Sequence, residues 1–387
     1  MCSLTAMNLR SPIFLSIFVL ALANLPTFSP AQPSDSGKQA AASTVRLREV
    51  VLPVTVRNYK GELVANVKIR DFTLTEDGRP QTIKSFTRES NLPFRLGLLV
   101  DTSRGVLGAM DSERKAAGKF VDLMLPEKSK AGSDSAKDEA FLIHFDREVE
   151  LLRDFTTSRV KLHRELDEMG PTRAPESGGE SDGGGQEHGP SHGRGGTQLY
   201  DAIFLASDEL MKAQNGRKAL IVFSDGVDRD SKETLNDAVD AADRAGVTVY
   251  AIYFRGEEER GQNGFPGQGG GRQYPGGGGG YPRGGDYPSG GGGRHGGQSE
   301  PGVDGKKILE KIAQRTGGRF FEAKKKDNLD EIYSQIAEEL RGQYLLTYTP
   351  DVVDKEGGFH KIALKANKDD LTVVTREGYY APGGVAE

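Results

Sequence analysis

An α/β fold, with a doubly wound and mostly parallel sheet inserted in a small β-sandwich, is what this sequence predicts, and three observations carry the expectation. Between Pro93 and Arg341, short apolar runs alternate with stretches whose apolar residues recur every three or four positions, the pattern of strands covered by helices. On either side of that segment the pattern becomes short alternating runs, too few in each flank to bury a core alone. Two of the central apolar runs, Leu96 to Val100 and Ala219 to Phe223, lead within two residues to an aspartate, Asp101 and Asp225. In open α/β sheets ligands bind beyond the carboxyl ends of the strands, so these aspartates mark the edge where function is expected.

Taken in order, residues 1–31 read as an export signal. Arg10 supplies the positive start, Ile13 to Leu25 the apolar stretch, and Ser29-Pro30-Ala31 a small-residue cleavage site. The apolar stretch is short for a membrane span, so an extracytoplasmic location (periplasmic, secreted or cell-surface) is expected, with no transmembrane span after cleavage. Cys2 is the single cysteine and would leave with the signal; it lies on the wrong side of the apolar stretch for a lipid anchor. Residues 32–44 are small and polar, a tether.

Residues 45–92 form the first β region, with runs at Val50 to Val56, Phe72 to Thr75 and Gln81 to Phe86, and a turn signal at Asp77-Gly78 before Pro80. The α/β segment, residues 93–342, follows. Its strands are expected at Leu96 to Val100, Phe141 to Phe145 with Val149 to Leu152 as a hairpin, Ala219 to Phe223, Val247 to Phe254 and Arg319 to Phe321. Its helices are expected at Met110 to Leu125, around Leu162, Leu166 and Met169, along Leu199, Ile203, Ala206 and Leu210, along Leu235 to Ala242, around Ile308 and Ile312, and along Leu329 to Leu340. Residues 343–382 return to strands at Tyr344 to Thr349, His360 to Ala366 and Thr372 to Tyr380. Because neither flank suffices alone, the two are expected to complete one sandwich.

The chain carries 51 glycines among 387 residues, gathered in tracts near 178–196 and 256–305 that are too glycine-dense to build core. A net charge of -5 excludes a general electrostatic case for nucleic acid. The second tract mixes Gly with Arg and Tyr, a composition that binds single-stranded RNA elsewhere, but it also holds Glu257 to Glu259 and Asp286, and export removes that substrate. Glu187, His188 and His192 have a spacing suited to a transition metal, yet a glycine-rich loop makes a poor pre-formed site, and incidental affinity is the plainer reading. No nucleophile is paired with a base: there is no Gly-x-Ser-x-Gly elbow, no phosphate loop with its lysine, and the α/β pattern contradicts the paired lobes that an Asp-Thr-Gly-like peptidase reading of Asp101-Thr102-Ser103 would need.

What the carboxyl edge does offer is oxygen. Asp101 and Ser103 share one turn, Thr197 opens a helix, and Asp225 ends a strand, a set of hard donors on separate segments that suits a divalent cation. With Asp101-Thr102-Ser103, Gly195 to Ile203 and Phe223-Ser224-Asp225-Gly226 in place, residues from Phe94 to Arg341 resemble a von Willebrand factor type A domain, with its metal-ion-dependent adhesion site. The flanking Asp71 to Gln81 and Gly378-Tyr379-Tyr380 resemble a bacterial subfamily known from acidobacteria. The resemblance implies a Rossmann-like fold and a non-enzymatic binding module. Ser103 and Thr197 would be direct ligands, with Asp101 and Asp225 ligating directly or through water. The ion would be Mg²⁺, or Mn²⁺ or Ca²⁺, leaving one position open for an Asp or Glu side chain of a partner protein.

This chain departs from that pattern at Gly105, which stands where the motif has its second serine, and water is expected in the gap. The alternative is a metal-independent structural or assembly scaffold, in which the site is vestigial and Asp101 caps the next helix. Two readings also stay open for nearby acids. Asp228 and Asp230 either add ligands or favour a helix starting near Ser231, and Asp201 either supports the site or serves as a first-turn acid.

Overall fold

The computed structural model describes residues 49–88, 92–125, 137–171, 196–254, 304–324, 328–352, 354 and 356–381. The chain divides into units of Met1–Arg46 and Leu47–Glu387, and all described residues belong to the second. The expected signal, the tether, Glu187, His188, His192 and nearly all of both glycine tracts lie outside them.

In chain order the strands are β1 (Val50–Asn58), β2 (Phe72–Glu76), β3 (Arg79–Gln81), β4 (Ile83–Thr87), β5 (Phe94–Asp101), β6 (Glu139–Phe145), β7 (Val149–Thr156), β8 (Arg217–Ser224), β9 (Val247–Tyr253), β10 (Phe320–Glu322), β11 (Tyr344–Tyr348), β12 (Phe359–Ala366), β13 (Leu371–Val374) and β14 (Gly378–Tyr380). The helices are α1 (Met110–Met124), α2 (Arg159–Glu168), α3 (Leu199–Leu205), α4 (Leu235–Ala245), α5 (Gly305–Arg315) and α6 (Leu329–Gly342). Among the described residues, no helix is long and apolar enough to cross a membrane.

Six strands in the order β10-β9-β8-β5-β6-β7 form the central sheet, parallel throughout except for the β6–β7 hairpin. β5 is nearly all apolar because both of its faces are covered. Leu96, Leu98 and Val100 point into one core with Ala116 and Phe120 of α1, Leu162 of α2 and Ile336 of α6. Leu99 points into the other, with Leu199 and Ile203 of α3, Ala242 of α4 and Leu309 of α5. β5 lies between β8 and β6, so three strand ends meet side by side: Asp101 pairs with Phe145, and Val100 with Phe223.

The flanks build two four-stranded antiparallel sheets, β13-β1-β11-β4 and β14-β12-β2-β3. Each interleaves strands from before and after the α/β segment. Their facing side chains, Leu52, Val54, Leu346 and Tyr348 from one sheet with Phe72, Leu74, Ile362 and Tyr379 from the other, form one core. Neither flank holds enough strands to close such a core, which is why the chain must return to complete it.

Four local expectations change. Gln81 to Phe86 is two strands in opposite sheets, broken at Thr82, and Thr372 to Tyr380 is likewise split at Thr375 to Glu377, where the buried Arg376 lies. Short strands serve two sheets by crossing between them, and alternation alone does not reveal the crossing. The helix of Leu199 to Leu210 passes into a π-helical turn, Ala206–Met211. The helix expected near Ser231 starts at Leu235, with Thr234 as N-cap and Asp237 completing a reciprocal capping box.

Glu339 of α6 joins the two halves. It is buried, paired with Arg57 of β1, 3.7 Å from Arg319, and accepts from Thr55 Oγ1 and Tyr250 Oη at 3.3 Å each.

Candidate functional site

Asp101 ends β5 fully buried, at 0% exposure. Its Oδ1 accepts from the Ser103 N–H at 2.8 Å and its Oδ2 from Ser224 Oγ at 2.7 Å. Ser224 in turn accepts from the Gly226 N–H at 3.0 Å, and the Val227 N–H donates to Asp225 Oδ1 at 2.9 Å. A buried carboxylate at a strand end is thus held by the turns on both sides, with neutral donors only in these bonds. Burial first, then the neighbouring Asp225 charge, raises the Asp101 pKa to about 6 against the hydrogen bonds from Ser103 and Ser224.

Gly105 follows on the same loop, and a Cβ built there would overlap the Asp225 carboxylate. The space that a side chain at residue 105 would take is not open: Asp225 Oδ2 lies there. Asp101 does not cap the next helix either. It caps its own turn, and α1 begins behind a 3₁₀ turn with Ala109 as its N-cap residue.

Thr197 reaches this edge through the main chain. The adjacent Gln198 N–H donates to the Asp146 carbonyl at the end of β6 (2.9 Å), and the Arg229 N–H donates to the Thr197 carbonyl (3.0 Å). Thr197 is buried, two residues before α3, which starts at Leu199 with Gln198 as N-cap. A Cβ at Gly196 would overlap the Asp230 carboxylate, the second place on this edge where an aspartate lies against a glycine. Asp228 accepts from the Tyr200 N–H at 3.1 Å and from Ser231 Oγ at 2.6 Å, while Asp201 accepts from the Lys232 and Glu233 N–H groups at 2.8–3.1 Å. These acids lock the start of α3 to the loop after β8, satisfying amides that a helix start leaves open. The capping assigned to Asp228 thus falls on α3 and not on the helix that follows it in sequence.

The structure brings Asp101, Ser103 and Asp225 into one cluster and adds Thr197 on the adjoining loop. Two neighbours join the residues expected from the sequence. Ser224 bridges the Asp101 and Asp225 turns, and its signal was its place immediately before the strand-end aspartate. Asp146 follows β6 directly, near Thr102, whose N–H donates to the Phe145 carbonyl at 2.9 Å. In the sequence it belongs to the expected hairpin turn, and only the sheet order reveals that β6 ends beside β5.

All the donors on this edge are oxygens from carboxylates and hydroxyls, the donor class of Mg²⁺, Mn²⁺ and Ca²⁺. Burial, and to a smaller extent the Asp225 charge, disfavours the ionised form of Asp101, and a cation at the cluster would oppose both. The residues present fit a hard divalent ion.

Residues 96–227 match the sequence model of the von Willebrand factor type A domain. Comparison with curated proteins returned no match. Similar solved structures include an aerotolerance-related membrane protein of Bacteroides fragilis NCTC 9343 bearing multiple mutations to serine, with 15% identity, 64% of this chain and 98% of that chain covered, and a TM-score of 0.38. Another is the vWF domain of the type V pili tip protein Mfa5 of Porphyromonas gingivalis, with 13% identity, 65% and 95% covered, and a TM-score of 0.39. A third is proximal thread matrix protein 1 from the mussel byssus with a zinc-occupied MIDAS motif, with 12% identity and a TM-score of 0.38; 64% of this chain matches 48% of that one.

Proposed function

The chain carries a von Willebrand factor type A domain, matched over residues 96–227, and from that premise we propose that it is an exported, non-enzymatic protein-binding module whose contact surface is the carboxyl edge of the central sheet. Such domains are typically interaction modules. The observation that carries the reading is the convergence of Asp101 and Asp225 at adjoining strand ends, with the Asp225 carboxylate seated against Gly105.

In this reading Asp101, Ser103, Thr197 and Asp225 hold a divalent cation, Mg²⁺ by donor hardness, with Mn²⁺ and Ca²⁺ as competitors. A bound ion would offer one open position to an Asp or Glu side chain of a partner protein. The chain's own residues position the donors. Ser224 orients the Asp101 carboxylate, the Val227 amide orients Asp225, and the Asp201 and Asp228 locks fix the loop that presents Thr197. The absence of a serine at 105 lowers the number of protein ligands, so a modest affinity is expected.

One observation favours the second reading, a metal-independent scaffold. Both Asp101 oxygens already accept hydrogen bonds in the arrangement described, so that carboxylate has partners without an ion. Calorimetric titration with Mg²⁺, Mn²⁺ and Ca²⁺, repeated on Asp101→Ala and Asp225→Ala, separates the two. Saturable binding by the parent chain that both substitutions abolish supports the cation-dependent module. Identical heats from all three proteins would sink it and leave the scaffold.

A further inference from the structure

The β2–β3 hairpin of the sandwich carries a second cluster of chemically different composition. Glu76 ends β2, Asp77 occupies the turn, and His360 lies on β12. Their ligand-type atoms all fall within 4.8 Å of one another. His360 Nδ1 is hydrogen-bonded to Asp77 Oδ2 at 2.8 Å and stands 3.3 Å from Glu76 Oε1, so an ion bound among them takes the place of the imidazole proton. For comparison, ligands of a tetrahedral ion bound at about 2.0–2.1 Å stand about 3.3 Å apart.

The other polar atom of each residue is engaged elsewhere. Glu76 Oε2 accepts from Tyr348 Oη at 2.7 Å, Asp77 Oδ1 accepts from the Lys361 N–H at 2.9 Å, and His360 Nε2 lies 3.2 Å from Asp354 Oδ2. Asp354 is itself fixed by the Glu356 and Gly358 amides at 2.7 and 2.6 Å. Oε1, Oδ2 and Nδ1 are thereby turned toward one another. A histidine whose second nitrogen meets a carboxylate is the arrangement that orients and strengthens metal-bound imidazoles. Tyr379 Oη, 3.3 Å from Glu76 Oε1, and Arg79, 3.9 Å from Asp77 Oδ2 and half exposed, are the remaining neighbours.

Glu76 is only 2% exposed, a carboxylate that burial would leave costly without opposing positive charge. Asp77, by contrast, keeps its side chain partly in solvent, so a fourth ligand can come from water.

We infer that Glu76 Oε1, Asp77 Oδ2 and His360 Nδ1 form a Zn²⁺-class site in the sandwich, separate from the sheet-edge cluster, with Asp354 and Tyr348 holding the ligands in place. The mixed nitrogen and oxygen donors select a borderline ion such as Zn²⁺ or Co²⁺ over Mg²⁺. The site joins the N-terminal hairpin to the C-terminal strand β12, so the bound ion staples the two flanks of the sandwich.

The test uses the purified full chain with Asp101→Asn and Asp225→Asn to silence the sheet edge, and His188→Ser and His192→Ser to silence the glycine tract. Titration with ZnCl₂ is expected to give one equivalent of tight binding and a raised melting temperature, and CoCl₂ a visible band of four- or five-coordinate N/O ligation. Adding His360→Gln or Asp77→Asn removes the equivalent and the band, while Asp354→Asn weakens binding by about 10–100-fold. Asp77 is the most exposed of the three, so its variant reports on binding if the His360 variant is poorly folded. Zn²⁺ affinity unchanged by Asp77→Asn and Asp354→Asn, or no binding by the background chain, overturns the site.

Discussion

Two acids of the α/β segment, Asp101 and Glu113, and two of the sandwich, Asp77 and Asp354, are held by opposite means. Asp101 and Glu113 are buried behind neutral donors: the Ser103 amide and the Ser224 hydroxyl for the first, and the Tyr333 hydroxyl for the second. Burial raises Asp101 to about 6 and Glu113 to about 8. In the sandwich, Asp77 and Asp354 gather around His360. Burial raises Asp77, but the His360 hydrogen bond and charge and the Lys361 amide bring it net below the usual range. The Glu356 and Gly358 amides hold Asp354 low. The same residue type is thus protonated with ease in one half and kept ionised in the other. The difference teaches that burial alone does not decide a carboxylate's protonation; what matters is which donors and charges the fold sets against it.

The largest expected effect is at the joint between the halves. Glu339→Ala leaves Arg57 and Arg319 facing a buried void and should cost about 3 kcal/mol or more, read as a fall in the denaturation midpoint. If the cost is under about 0.5 kcal/mol, the ion pairs are exposed enough to be screened and the halves are not coupled through them.

A pH series sharpens the contrast on the α/β side. Glu113 has a folded pKa of about 8, above its ordinary 4.5, so the folded state holds the extra proton between those values. Its contribution is present at low pH and is lost as pH rises toward 8. Glu113→Gln should therefore be more stable than the parent chain at pH 8, with the gap closing toward pH 5. Parallel stability curves for the two proteins would mean that Glu113 is ionised and paired in solution.

The Gly105 contact offers a smaller and more local test. Gly105→Ala forces the Asp225 carboxylate to move and should cost about 1–2 kcal/mol. The same substitution in an Asp225→Ala background should cost less, with a coupling of about 0.5–1 kcal/mol in a thermal double-mutant cycle. Additive losses would place Asp225 away from Gly105. Smallest of all, Asp228→Ala removes the acceptor for the Tyr200 amide at the start of α3 and should cost about 1 kcal/mol, and through the Thr197 loop it should weaken any cation bound at the edge.

What could be read directly was what is local in sequence. The period of Leu96 to Val100 and Ala219 to Phe223 places them as buried parallel strands, and the aspartate near the end of each marks the sheet edge where the candidate site lies. Even the sandwich follows, because neither flank could close a core. What escaped is set by contacts between distant segments. The strand switches at Thr82 and at Thr375 to Glu377 depend on which sheet offers a free edge. Asp225 filling the space at Gly105 depends on the β5–β8 pairing, and His360 meets Asp77 across 283 positions. A histidine and an Asp-Gly turn that far apart carry no shared spacing signal.

The most direct measurement is Mn²⁺ paramagnetic resonance on the purified chain, which counts bound ion at a hard oxygen site. One bound equivalent displaced by excess Mg²⁺, and lost in Asp225→Ala while His360→Gln retains it, is the result expected of a cation site at the sheet edge. Mn²⁺ that stays free with the parent chain, or that stays bound in Asp225→Ala, contradicts it.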